Sequence, residues 1–306
     1  MIKPKHCLVT GGAGFIGAHL TRRLLKDGWK VTVIDDLSAG KWENLPTHPN
    51  LIKHRVSILE NMSPFVTGQE VIFHLAALPR VQRSLAQPRE THAINVTGTL
   101  NLLAAVKDAQ IEKFILASSS SVYGQQIKLP LTENMPPHPM SPYGLQKKMA
   151  EDYCLLFNKL WGVPTICLRY FNVYGPGMNP DDAYANLIPK FISLMTQNKI
   201  PVINGNGRQA RDFTFIDDVV EANILAARSG ISGEIINIGA GNMISVNEVM
   251  QLLNRFMGKN IQPVHGPALV EPKVTLSSCA KAKKLLGWKP KVKFADGLKT
   301  VIKDVI

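Results

Sequence analysis

Apolar positions along the chain follow two alternating rhythms. Short runs occupy 6–10 (HCLVT), 31–35 (VTVID), 51–59 (LIKHRVSIL), 71–77 (VIFHLAA), 113–118 (KFILAS) and 165–171 (TICLRYF). They have the length and β-branched content of buried strands rather than helices. Elsewhere apolar residues recur every three or four positions: Ile16, Leu20 and Leu24 do so until Gly28 ends the run, and longer helical patterns span about 89–109 and 143–161, the second opening after Ser141-Pro142. Strand and helix in alternation predict an α/β protein with a doubly wound parallel sheet. Beyond Asn172 the chain turns to GPGMNPDD and other Gly/Pro/Asn-rich stretches with shorter elements. The expected division is therefore a dinucleotide-type domain over 1–172, rejoined by part of 211–238, and a smaller C-terminal α/β lobe over 173–306 that binds substrate. There is no internal repeat and no low-complexity segment.

Open α/β sheets bind ligands beyond the carboxyl ends of their strands. Chemistry is therefore sought at Gly11 to Gly17, Asp35 and Asp36, Ala76 to Val81, Ser118 to Gly124, and Asn172 to Gly177. The first of these lies in TGGAGFIG (10–17), where Gly12, Gly14 and Gly17 satisfy G-x-G-x-x-G. Alone the pattern fits any tight glycine turn. With a strand before it, a helix after it and a second strand ending in Asp35, it reads as a Rossmann-type cradle for a pyrophosphate. Asp35 is placed to accept hydrogen bonds from an adenosine ribose and would repel a 2′-phosphate, so NAD is favoured over NADP.

In SPYGLQK (141–147), Tyr143 and Lys147 are four residues apart and share a helix face. A phenol with an ordinary pKa near 10 is a poor base at neutral pH. A neighbouring ammonium and a positive nicotinamide ring would both favour the phenolate, which makes Tyr143 a candidate acid/base.

Composition narrows the class. The chain has 306 residues, 45% hydrophobic and 19% charged, enough for one large or two ordinary domains. No apolar run is long enough to span a membrane, and no signal peptide fits before the first strand, so the expected address is the cytoplasm. The net charge of +12 suits anionic ligands such as nucleotides. Nucleic acid and membrane are not expected as partners, because the one basic cluster, KAKK (281–284) with Lys289, Lys291 and Lys293, reads as a solvated helix face. Cys7, Cys154, Cys167 and Cys279 are too dispersed for a zinc pattern and read as reduced core thiols; no metal is expected.

TGGAGFIG, Asp35, HLAA (74–77), SSSSVYG (118–124), SPYGLQK and RYFNVYGPG (169–177) together resemble the extended short-chain dehydrogenase/reductase family, whose members of this type are NAD-dependent nucleotide-sugar epimerases and dehydratases. The resemblance covers nearly the whole chain. It implies tightly held NAD and a catalytic Ser119, Tyr143 and Lys147, with Tyr143 taking the proton of a C4 hydroxyl, Ser119 bonding the sugar oxygen, and Lys147 holding the nicotinamide ribose and lowering the phenol pKa. Cofactor contacts are implied at Gly11, Gly14, Phe15, Ile16, Gly17, Asp35 and Asp36. Others fall at Leu75, Ala76, Ala77, Asn95, Tyr143, Lys147 and Tyr170. Related 4,6-dehydratases carry an Asp-Glu pair just after the Ser/Thr, where this chain has Ser120 and Ser121. The expected reaction is accordingly C4 epimerisation of a UDP-sugar, a UDP-hexose or UDP-N-acetylhexosamine, through a 4-keto intermediate. UDP-glucuronate epimerisation, dehydration or reduction are the alternatives. A non-catalytic NAD-binding regulator is a remote one, since such relatives often lose the tyrosine or lysine. The helices at about 89–109 and 143–161 resemble those that pair across a four-helix homodimer interface.

On the substrate side the resemblance points to Ser119, Ser120, Tyr143, Asn172, Asn186, Leu187 and Arg211. Arg211 would clamp the diphosphate; without its motif it reads as a surface ion pair with Asp212 or Asp217. Thr275, six positions before Lys281, would leave room for a 2-acetamido group. Three departures stand out: ALVEP (268–272) lacks a second diphosphate arginine, Ser57 stands where relatives have an adenine-contacting acid, and Pro79-Arg80 replace other residues near the sugar. Arg80 could meet a hexuronate, the pyrophosphate or solvent.

Overall fold

The computed structural model describes residues 5–179, 187–268 and 271–306. Seven parallel strands form the central sheet: β1 (His6–Thr10), β2 (Lys30–Asp35), β3 (Leu51–Arg55), β4 (Val71–His74), β5 (Lys113–Ser119), β6 (Thr165–Tyr170) and β7 (Glu234–Ile238). Their spatial order is β7-β6-β5-β4-β1-β2-β3, so the chain winds outward from β1 in one direction and then from β4 in the other. The crevice at that reversal is where such sheets take ligands.

The strands read as continuous apolar runs because both faces are covered. Cys7 and Val9 of β1, Val71 and Phe73 of β4, and Ile115 and Ala117 of β5 face one core. Their alternates Leu8, Ile72, Phe114 and Leu116 face the other, as the two-residue period of a strand requires. The first core is closed by Leu20 and Leu24 of α1 (Phe15–Lys26) and by Val219 and Ala222 from a later helix, and it runs on among the C-terminal helices through Phe191, Leu253 and Leu298. The second is closed by two helices from the middle of the chain. One, α2, is α-helical over Pro88–His92, π-helical over Ala93–Gly98 and α-helical again over Thr99–Val106; the other is α3 (Pro142–Trp161).

Two strand runs end early. The 51–59 run stops at Arg55, because the Val56 N–H still reaches Asp35 O but the Ser57 N–H donates to the Glu60 carboxylate and folds 57–60 into a turn. The 71–77 run stops at His74, where the Leu75 and Ala76 amides turn onto Thr10. Beyond β6 the chain builds α4 (Leu187–Thr196), returns to the sheet through α5 (Ile216–Arg228) and β7, and leaves again for α6 (Val246–Met257) and α7 (Phe294–Val305). Strand β7 pairs in register with β6, Ile236 against Leu168. All four cysteines are free thiols, three of them buried. In the basic stretch Lys283, Lys284, Lys289, Lys291 and Lys293 are exposed, while Lys281 pairs with Glu234 at 2.7 Å. Among the described residues no helix is long and apolar enough to cross a membrane.

Candidate active site

The site is built from the carboxyl edge upward. Gly11 follows β1 at φ +67, its N–H bonded to Ile34 O at 2.8 Å. A Cβ there would lie 2.7 Å from Ala76 Cα, and one on Gly17 would lie 2.1 Å from Gly11 O. Neither position admits a side chain. Gly14 caps α1 without a side-chain acceptor, and the first turn, with Phe15 and Ile16 half-buried, holds no acid. The helix therefore presents bare amides and its positive dipole end to the cleft, which suits a pyrophosphate. Asp35 ends β2, its Oδ2 accepting the Ala13 N–H and its Oδ1 the Leu37 N–H, each at 2.9 Å. Burial pushes its carboxyl pKa up while those amides hold it back. Each oxygen retains a lone pair for a ribose hydroxyl. Asp36, half-buried, accepts the Ser38 N–H at 2.9 Å. This cradle fits a dinucleotide.

The loop after β4 forms the next wall. Leu75 N–H reaches Thr10 O at 3.1 Å, and Ala76 N–H reaches Thr10 Oγ1 at 3.1 Å. Ala77 is half-buried beside them. Asn95, carried inward by the π-turn of α2, accepts the Leu78 N–H at 2.8 Å and donates to Leu78 O at 3.1 Å and Gln146 Oε1 at 2.8 Å. Its amide is thus a brace between loop and α3, a role invisible in the sequence because both partners are remote. Arg80 closes the loop at φ +92, a backbone region unusual for any residue but glycine.

Ser119, the last residue of β5, accepts the Ser121 N–H and donates to Ser121 Oγ, both at 3.1 Å, and so caps the turn Ser120–Tyr123. Helix α3 starts at an N-cap, Ser141, whose Oγ accepts the Gly144 N–H at 3.1 Å, with Pro142 at its first position. That start sets Tyr143 beside Ser119, with the Tyr143 N–H donating to Ser84 Oγ at 3.0 Å. Burial raises the phenol pKa, opposed by the Ser119 hydroxyl and by the charge of Arg80. Lys147, 4% exposed, donates to Ala117 O at 2.8 Å. Burial pulls its ammonium down to about 8, against the opposite pull of Glu151. The Lys147 ammonium is thus held at the end of β5, one helical turn from Tyr143.

Beneath the trio lies a charged layer the sequence reading missed. Glu151, one turn beyond Lys147, accepts from Ser118 Oγ at 2.5 Å and from Arg169 Nε and Nη2, each at 2.8 Å. The Arg169 guanidinium stacks 4.6 Å from the Tyr123 ring centre, and Tyr123 bonds Asn237 of β7 at 2.7 Å. The only available signal was the Lys–Glu spacing of four.

On the substrate side Asn172, half-buried, reaches Asp212 O at 3.3 Å and Thr275 Oγ1 at 3.5 Å, so Asn172 and Thr275 are brought together. Tyr170 is packed below, its hydroxyl bonded to Asn223 of α5 at 2.9 Å and its pKa raised by burial. Arg211 pairs with neither Asp212 nor Asp217 but with Glu271 at 2.9 Å, and donates to Ala210 O at 3.0 Å and Lys273 O at 3.3 Å. Asp212 is instead fully buried, accepting the amides of Ala240, Gly241 and Ser277 at 2.9–3.0 Å. Leu187 opens α4, half-buried; Asn186 lies outside the described residues.

The model of the NAD dependent epimerase/dehydratase family matches residues 7–239. The UDP-glucose 4-epimerase of Mycolicibacterium smegmatis is 36% identical over 303 residues, covering 96% of each chain. A UDP-N-acetylglucosamine 4-epimerase from Methanobrevibacter ruminantium, solved with UDP-N-acetylmuramic acid, superposes with a TM-score of 0.95 at 35% identity, covering 99% of this chain and 98% of that one. The UDP-glucuronic acid 4-epimerase of Bacillus cereus, solved with its substrate and NAD, gives 0.93 at 34% identity and covers 98% of each.

Proposed function

The chain belongs to the NAD-dependent epimerase/dehydratase family, and from that membership we propose that it is a UDP-sugar 4-epimerase, inverting C4 through a transient 4-keto sugar. NAD, when bound, is the hydride acceptor and donor of this chemistry. Gly11, Gly14, Gly17 and the first turn of α1 would hold its pyrophosphate and Asp35 its adenosine ribose. Lys147, one turn from Tyr143, would hold the nicotinamide ribose.

The observation that carries the reading is the convergence of Ser119, at the end of β5, with Tyr143 and Lys147 of α3, whose ammonium donates to Ala117 O of that strand at 2.8 Å. Ser119 orients the C4 oxygen and Tyr143 removes its proton, then returns it from the same oxygen when the carbinol is reformed. Hydroxyls at Ser120 and Ser121, where dehydration would need an acid and a base, support epimerisation over elimination. Ser120, Asn172, Asn186, Leu187 and Thr275 would line the sugar and uridine side. Arg211 would exchange Glu271 for the diphosphate, a bidentate partner for its guanidinium. Arg80 offers a partner to a C6 carboxylate, which keeps UDP-glucuronate beside UDP-glucose and UDP-N-acetylglucosamine as a substrate.

The test is to incubate the holoenzyme with these three UDP-sugars and resolve the products by mass and stereochemistry. A mass-neutral C4 isomer is expected; loss of 18 mass units would replace epimerisation with dehydration. Tyr143→Phe should keep NAD and lose at least about two orders of magnitude in kcat. Turnover near wild type in that variant would remove the mechanism.

The same family membership supports a homodimer formed through the outer faces of α2 and α3, where Leu145, Leu156, Leu160 and Trp161 are exposed. Its address would be the cytosol, a reducing compartment that suits three buried free thiols. Recovery in a membrane or secreted fraction of the source cells would refute that address.

A further inference from the structure

Three stretches of chain meet on the substrate side of the cleft, and one carboxylate joins them all. Asp212 follows Arg211 and is fully buried; its Oδ1 accepts the Ala240 N–H at 2.9 Å, and its Oδ2 accepts the N–H groups of Gly241 at 3.0 Å and Ser277 at 2.9 Å. The Ser277 hydroxyl donates to the same Oδ2. Four donors converging on two oxygens call for a group that only accepts and has about four lone-pair sites, which a carboxylate is and an amide is not. Gly239 leaves the room for this: a Cβ there would lie 2.2 Å from Ser277 Oγ and 2.9 Å from Asp212 Oδ2.

The residues this knot fixes are those assigned to the substrate. Asn172 is held twice by the stretch that carries Asp212, its Nδ2 donating to Asp212 O and its O accepting the Thr214 N–H, each at 3.3 Å. Thr275 stands two residues before Ser277, its N–H donating to Ala210 O at 3.1 Å and its Oγ1 lying 3.5 Å from Asn172 Nδ2. Arg211 is bracketed by Asp212 and by Ala210, whose N–H donates to Lys273 O at 3.0 Å. The glycine cradle and the Ser119, Tyr143 and Lys147 group stand on other elements, β1 with α1 and β5 with α3. We propose that Asp212 is the positioning residue of the nucleotide-sugar side, fastening the 210–212, 239–241 and 275–277 stretches so that Arg211, Asn172 and Thr275 meet the UDP-sugar as one preformed surface. This rests on the reading of those three residues as substrate contacts. A surface already in place spares the ligand the cost of ordering three loops, so loosening the knot weakens binding rather than slowing the chemistry.

Asp212→Asn keeps the shape of the side chain but turns one acceptor oxygen into an NH2 group facing donors. Ser277→Ala removes only the hydroxyl bond, and it decides the matter alone if the first variant does not fold. UDP is titrated calorimetrically into the NAD-loaded proteins, and NAD content, KM and kcat are measured beside it. Asp212→Asn should raise the Kd for UDP and the KM for the UDP-sugar about tenfold or more, and Ser277→Ala about threefold, with NAD content unchanged and kcat within about a factor of two. A UDP affinity equal to that of the wild type in either folded variant would overturn the proposal. So would a fall of kcat and NAD content in step with the affinity, since a general loosening of the fold moves all of them. A wild-type holoenzyme that does not bind UDP would instead remove the reading beneath it, so the two failures are distinguishable.

Discussion

His74 shows at the level of one residue how burial holds a single ring neutral below the cleft. Its Nδ1 pairs with Thr10 Oγ1 at 2.7 Å and its Nε2 with Thr99 Oγ1 at 2.9 Å. Burial, with the charge of Lys147, pulls its pKa down to about 3 from 6.5. In the unfolded chain it would titrate near 6.5, so above that pH both states are neutral and the term vanishes from the balance. As pH falls from about 6.5 to about 3, only the unfolded state takes up the proton, and stability drains away through that window. His74→Gln keeps the size and both hydrogen-bonding ends without the titration. Denaturant unfolding from pH 7 to 4 should show a shallower loss in the variant, and parallel slopes would refute the assignment. Single residues were legible in sequence where their constraint is local: the glycines of the cradle, Asp35 at a strand end, Tyr143 and Lys147 one turn apart. They were illegible where the partner is distant. Nothing in ALVEP announced that Glu271 meets Arg211, and nothing near Lys147 showed that its ammonium meets Ala117.

Among the elements, α3 has two characters along its length. Its inner face carries Lys147, Ala150, Glu151 and Cys154 into the site and the second core. Its outer face shows Leu145, Leu156 and Leu160 at 44–57% exposure, spaced so that they share one stripe. Single exposed leucines need no explanation, but a stripe on a helix beside another half-apolar helix calls for a cover. In the proposed dimer that cover is the second copy. Leu156→Glu with Leu160→Glu should then turn a dimer into a monomer by sedimentation or light scattering; an unchanged mass for the double variant, or a monomeric wild type, would refute the pairing. The existence of this helix, its Ser141-Pro142 start and the strands flanking it followed from periodicity. The π-turn within α2 did not, because the pattern of apolar residues does not reveal where an extra residue is accommodated. The early ends of β3 and β4 were also hidden, since apolar residues continue past them into turns held by Glu60 and Thr10.

For the molecule as a whole, the alternation of strand and helix was enough to predict the doubly wound sheet, whereas the return of the chain to lay β7 beside β6 was only partly written there. A positive balance of +12 set the expectation of an anionic ligand, and the comparisons with UDP-sugar epimerases agree with it. Most of the lysines near the C-terminus are exposed side chains, and Lys281 is paired with Glu234. The chain leaves the sheet after β6, comes back to lay β7 against that same strand, and departs a second time. A cut near residue 172 would therefore strip a neighbour from β6 and tear open an interior shared by Phe191, Leu253, Trp288 and Val219. A chain stitched through one shared interior in this way has no seam along which one half can melt while the other survives. Calorimetry of the apoprotein should accordingly trace a single endotherm whose calorimetric and van't Hoff enthalpies coincide for each protomer; two resolved peaks would mean that the stitching fails to couple them.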